Sequence, residues 1–212
     1  MKRAKLAVPK EAPQPFRLDI GCGKNPAPGF VGVDVLDFGQ EYKCDLSKTP
    51  WDFEGPKRDC FKSHRMRPIG GNKLVIATWL LADNSVDEVR SSHFVEHLTG
   101  QERIGFFNEL YRVMKPGAIA TIIVPHWAHE CAYGDPTHQW PPMSPWFRLY
   151  LCKTWREQNG PHVPYTCDFN LMNQTLAGSW DGRLKTRNQE FREAAMQQQI
   201  NAWRDLIVTL KK

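Results

Sequence analysis

The segment Leu18-Asp19-Ile20-Gly21-Cys22-Gly23 constrains this chain more than any other. Phe16 to Ile20 reads as a strand, and it runs straight into two glycines that carry no Cβ. A strand ending in Gly-x-Gly can turn sharply and lets a ligand approach its backbone. In an open α/β sheet, ligands sit outside the carboxyl ends of the strands. The dinucleotide fingerprint needs a third glycine three positions on, and Pro26 stands there. A pyrophosphate held at a helix N-terminus is therefore disfavoured, and with it a nucleotide-dependent oxidoreductase.

Phe30 to Val35 reads as a second strand. Only a turn or two of helix fits before it, although a parallel crossover normally takes a dozen or more residues. Tyr42 to Leu46 reads as a short third strand and Ser85 to Phe94 as a fourth. Gly100 to Lys115 has helical periodicity, with Ile104, Phe107, Leu110, Tyr111 and Met114 on one stripe. Thr99 with Glu102 three residues on is a capping box. Lys115-Pro116-Gly117 ends that helix, and Ala118 to Val124 is an apolar, β-branched fifth strand stopped by Pro125. Glu190 to Asn201 reads as a helix and Asp205 to Lys211 as a last strand. Alternating strands and helices imply an α/β fold.

The remaining stretches depart from that alternation. Residues 1–15 read as a flexible, proline-rich and charged arm, leaving 16–212 as a single domain. An insertion at about 55–80 interrupts the sheet-building pattern, and Cys60–Arg67 with Lys73–Leu80 fits a β-hairpin. Residues 126–165 form an aromatic and proline-rich cap whose tryptophans 127, 140, 146 and 155 fit either a stacking wall for a flat acceptor or a small accessory core. The 212-residue chain is 41% hydrophobic and 24% charged, which excludes global disorder. Its net charge of +5 is mild for a nucleic-acid clamp. No apolar run is long enough to cross a bilayer. The six cysteines include no C-x-x-C pair and read as free thiols of a cytoplasmic protein.

Three acids and a histidine-rich stretch carry the candidate chemistry. Asp34 closes the second strand beside Val35, where a carboxylate can accept hydrogen bonds from both hydroxyls of a ribose. Asp45 can take an exocyclic amine while Leu46 packs on the ring. His93 lies just past the fourth strand. His126, Asp135 and His138 follow the fifth and are placed to position or deprotonate an acceptor; tying the loop together is the alternative role of Asp135 and His138. His126, His129, Asp135 and His138 also form a donor set, but its irregular spacing leads us to expect no metal.

The order of these motifs resembles that of class I S-adenosylmethionine-dependent methyltransferases. Asp19 to Gly23 resembles the family's first motif, Asp34 its ribose acid and Asp45-Leu46 its adenine contact. Asp83 to Val89, leading to His93-Phe94-Val95-Glu96-His97-Leu98, is similar to the fourth-strand motif, and Glu109 to Gly117 to the turn before the fifth strand. The likeness covers about residues 16–126. It implies a Rossmann-like, mostly parallel seven-stranded sheet with flanking helices and an antiparallel last strand. It also implies S-adenosyl-L-methionine as cofactor, held by Asp19, Gly21, Cys22, Gly23, Asp34, Val35, Asp45, Leu46 and His93. The catalytic candidates are His93, His126, Asp135 and His138. The expected acceptor is a small molecule, saccharide or nucleotide methylated at oxygen or nitrogen. A catalytically silent cofactor-binding module and a nucleic-acid-modifying enzyme are the alternatives. The short first crossover and the insertion depart from the family pattern and bear most on Asp45.

Overall fold

The computed structural model describes residues 14–68, 75–170, 175–180 and 182–212. The N-terminal arm expected over 1–15 therefore lies almost wholly outside the described residues, as does the tip of the expected hairpin.

Among the described residues ten strands form one sheet: β1 (Arg17–Ile20), β2 (Val31–Asp34), β3 (Tyr42–Lys43), β4 (Asp52–Glu54), β5 (Phe61–Pro68), β6 (Val75–Leu81), β7 (Val86–Ser92), β8 (Met114–Pro125), β9 (Thr175–Trp180) and β10 (Trp203–Lys211). Their order is β5-β6-β4-β3-β2-β1-β7-β8-β10-β9. The centre, β3-β2-β1-β7-β8, is parallel. The last strand, β10, runs antiparallel between β8 and β9. The resemblance implies seven strands; three more, β4 to β6, join antiparallel beyond β3. The segment read as an insertion thus extends the sheet. Its hairpin pairs Arg65 with Thr78 and Met66 with Ala77. Alternate apolar residues in it continue the core, where Phe61 meets Tyr42, Phe53 and Trp79 ring to ring.

Among the described residues four α-helices accompany the sheet: α1 (Gly100–Val113), α2 (Cys131–Gly134), α3 (Lys153–Asn159) and α4 (Gln189–Gln198). The Thr99 and Glu102 capping box starts α1. Its buried stripe is rotated from the expected one. Phe106, Phe107, Leu110 and Val113 are fully buried, whereas Ile104 and Tyr111 sit at the margin. Two polar side chains, Arg103 and Glu109, also point inward.

The first crossover contains no helix. Residues 21–30 cross as a loop, which suffices because each four-residue strand is only about 13 Å long. Packing and hydrogen bonds do the work of the missing helix. Asp19, fully buried, accepts the Ala27 N–H at 2.7 Å and faces Arg90 of β7, whose Nη1 lies 2.9 and 3.2 Å from its two oxygens. The Gly21 and Cys22 N–H groups both donate to the Val33 carbonyl. Pro26 lies against β2 at Gly32. A Cβ there would come within 2.7 Å of Pro26 Cγ and 2.9 Å of Cys22 Sγ. Gly32→Ala should therefore cost about 1–3 kcal/mol through overpacking of a rigid ring. Urea midpoints of the two proteins measure this, and an unchanged midpoint would show that the loop does not lean on β2.

Candidate active site

Because the five central strands are parallel, their carboxyl ends open on one edge of the sheet. Gly21 follows β1, Asp34 ends β2, His93 follows β7 and His126 follows β8. The sequence candidates divide there into two neighbouring groups and a few residues that support them from inside.

The first group surrounds Gly23. This glycine has φ +56°, and a Cβ built on it meets nothing within 4 Å, so its face is open. Gly21 behaves differently. It too has positive φ, but its missing Cβ makes room for the Phe94 ring, which would lie 2.5 Å away. One glycine of the pair opens the site and the other lets the protein close behind it. Asp34 Oδ2 accepts the Gly23 N–H at 2.9 Å, and its Oδ1 accepts the Leu36 N–H at 3.1 Å. Each oxygen thereby keeps a lone pair for a hydroxyl. Val35 and Leu36 beside it are 54% and 59% exposed. An open backbone, a carboxylate with acceptor capacity and an apolar shelf fit the ribose and base of an adenosyl group.

Three other residues of this group look inward. The Asp19 carboxylate is spent on Ala27 and Arg90 and shapes the loop. Cys22 is half-buried; desolvation, with the nearby Asp34 and Asp19 charges, pushes its thiol up to about 11, so it is protonated. Leu46 is buried in the core, and its carbonyl accepts the Trp51 indole N–H. Asp45 is partly exposed. Burial raises its carboxyl, but hydrogen bonds from Lys48 and Ser47 outweigh this and hold it below the ordinary value.

The second group lines a cleft of about 820 Å³ across the ends of β7 and β8, with His93, Glu96, His97, Glu130, Cys131, Asp135, His138, Arg204 and Asp205 in its walls. His93 is left-handed, with φ +54°, a conformation uncommon outside glycine. Its Nδ1 lies 3.3 Å from Glu96 and its Nε2 3.7 Å from Asp205. The adjacent Glu96 carboxylate raises its pKa against the opposing effect of burial. His138 and Asp135 approach to 3.9 Å.

His126 is not in this cleft. It is 1% exposed, its ring stacks on Trp203 with centroids 5.4 Å apart, and its Nδ1 accepts the Ala128 N–H. Desolvation, then the His129 charge, push its pKa down to about 4. The side chain directly after a strand points either to the edge or into the sheet flank, and spacing alone does not say which. Sequence reasoning also missed Arg103, a residue of no known motif. It is buried and donates to the carbonyls of Val95, Glu96, Gln139 and Pro141. The aromatic cap is mainly an accessory core against α1, with Phe107 touching Phe147 and Tyr165. Trp140 and Trp146 stay exposed. The six cysteines are all free thiols, and no helix among the described residues is long and apolar enough to cross a membrane.

Comparison with known proteins bears on the family and the fold. Residues 18–122 match a family described as "Methyltransferase domain". A comparison with curated proteins finds no match. Among solved structures, a SAM dependent methyltransferase from Archaeoglobus fulgidus aligns at 20% identity and TM-score 0.54, covering 93% of this chain and 86% of that one. A SAM-dependent methyltransferase from Methanosarcina mazei aligns at 13% identity and TM-score 0.48, covering 95% and 94%. The phosphoethanolamine N-methyltransferase 2 of Haemonchus contortus aligns at 15% and 0.45, covering 96% of this chain and 50% of that one. At such identities the likeness is one of fold, and it rests on the first of the three.

His126 yields a stability prediction. Its folded pKa, about 4, lies below the ordinary 6.5, so the unfolded chain binds the extra proton between these values. Its contribution is full above pH 6.5 and is lost as pH falls toward 4. His126→Phe keeps a ring on Trp203 and removes the proton site. Denaturant midpoints from pH 7 to 4 should fall less steeply in the variant; parallel slopes would contradict the assignment.

Proposed function

We propose that this chain, whose residues 18–122 match a methyltransferase domain and whose fold aligns with that of a SAM dependent methyltransferase, is a class I S-adenosylmethionine-dependent methyltransferase that binds the donor over Gly23, Asp34 and Val35 and receives its acceptor in the cleft of His93, Asp135 and His138. When bound, the cofactor supplies a methyl group on a sulfonium whose charge is lost on transfer. The chain mainly holds the reactants in line, and proximity of this kind carries much of a barrier reduction.

The observation that carries the donor site is the pairing of Asp34 with the open Gly23. The carboxylate grips the glycine N–H and so fixes its own orientation, leaving acceptor capacity toward the open face. Asp19 is a positioning residue, because it pins the loop at Ala27. Gly21 and Phe94 form the floor, with Cys22 as a neutral wall. Asp45 flanks the far end from a turn braced by Ser47 and Lys48, with Leu46 anchoring it in the core.

The cleft chemistry points to a polar acceptor of modest size, methylated at oxygen or nitrogen. Its walls bring Glu96, Glu130, Asp135 and Asp205 together against a single arginine, Arg204. Such a surface repels the phosphate backbone of a nucleic acid. It suits a hydroxyl- or amine-bearing metabolite, a saccharide or a nucleoside part. His93 is placed to orient the accepting atom or take its proton, and His138 to orient it. His126 holds the wall behind them through its stack on Trp203.

Two measurements test this reading. Asp34→Ala should weaken cofactor binding by about 1–3 kcal/mol in calorimetry, the range for a hydrogen bond to a charged group. Unchanged affinity in the folded variant would remove the ribose role. A labelled-methyl screen over saccharides, sugar nucleotides, amines and nucleic acids should place label in the small molecules. Label in nucleic acid alone would overturn the acceptor assignment.

A further inference from the structure

Glu96 does not behave like a carboxylate that only orients His93. Its side chain is 5% exposed, and neither oxygen accepts a hydrogen bond of ordinary geometry. Its charged neighbours are the His93 ring, 3.3 Å from Oε1, and the Arg103 guanidinium, which acts on it through charge and not through a hydrogen bond. Burying a carboxylate with so little support is costly unless a cation compensates it. Glu96 lines the cleft, and so do two histidines that approach it. One ligand atom each from Glu96, His97 and His138 lie within 4.8 Å of one another.

The hydrogen bonds around the two rings decide their tautomers. Thr137 Oγ1 donates its hydrogen to Asp135 at 2.7 Å. The same oxygen lies 2.9 Å from His97 Nδ1, so it must accept there, and His97 carries its proton on Nδ1. His138 Nδ1 lies 3.3 Å from the Ala132 carbonyl, which can only accept. With Nδ1 so committed, each ring offers Nε2 as its donor atom to a cation. A ring nitrogen committed to an outer acceptor while its partner stays free is the usual support of a metal-bound histidine.

From this arrangement we propose that Glu96, His97 and His138 bind a divalent transition-metal cation, with zinc the best match to two imidazoles and one carboxylate. The softness of the donors disfavours magnesium and calcium, which prefer all-oxygen sets. His93 steadies the carboxylate from behind at Oε1. Glu130, Asp135 and Asp205 in the same cleft add negative potential that attracts the ion. Three protein ligands leave a position toward the cleft, where an acceptor oxygen or nitrogen can coordinate. The site stands independently of how the donor is bound.

The test uses the full chain, treated with chelator and titrated with Co2+ alone, then with Zn2+ in competition. Wild type should bind one Co2+ with visible ligand-field absorption that Zn2+ displaces. Glu96→Gln and His138→Ala should each weaken binding by more than the roughly 10–100-fold that loss of a supporting hydrogen bond costs a metal site. His129→Ala, outside the cluster, should leave it unchanged. Cofactor calorimetry on the same variants separates this result from a failure of the donor site. Paramagnetically shifted imidazole N–H signals from two histidines in the wild-type Co2+ form provide a readout that needs no variant. Absence of the band, a band unaffected by either substitution, or fewer than two shifted rings would overturn the proposal.

Discussion

The Arg103 guanidinium holds the acceptor side of this protein together. It rises from the first turn of α1 into a buried position and donates to four carbonyls, two from the turn after β7 and two from the cap. Gln139 adds a backbone bond to Glu96 across the same seam. Burial lowers the pKa of Arg103, yet guanidinium remains charged in proteins; the four carbonyl dipoles satisfy its N–H groups, and the nearby Glu96 charge opposes the effect of burial. The consequence is local and functional. The segment carrying Glu96 and His97 is clamped to the segment carrying His138, and the two rings meet edge to face with centroids 4.8 Å apart.

The donor side relies on a different economy of structure. Short strands allow a loop to replace the first crossover helix, but a loop needs fastening. Asp19 fastens it from below through Ala27, and Pro26 fastens it from above at Gly32. What emerges at its start is Gly23, open and left-handed, beside the Asp34 carboxylate that holds its N–H. The two sides meet at Phe94, which fills the space left by Gly21 and also touches Phe106 of α1. The position next to Phe94 is the strained His93.

Much of this was legible from residue order. Apolar runs closed by Gly and Pro located the central strands, the capping box set the start of α1, and the hairpin of β5 and β6 followed from two runs separated by the Gly70-Gly71-Asn72 turn signal. Asp34 stood out because a lone acid at a strand end has few structural duties. The expected stripe of α1 was turned by about one position, since periodicity cannot reveal that Arg103 and Glu109 face inward to bond with carbonyl and amide groups. His126 and His138 looked equivalent in a histidine-rich stretch. Packing separated them, placing one under Trp203 and the other on the cleft.

By itself, the sequence determined the kind of sheet, the Gly-x-Gly opening after its first strand and the acid that answers it, because these depend on local rules of chain geometry and hydrogen bonding. Only the tertiary structure decided which glycine is open, which histidines share a cleft, and that Glu96 is buried among them without a hydrogen bond to its carboxylate. Those properties depend on what distant segments bring alongside, and no spacing along one chain encodes a distance across the fold.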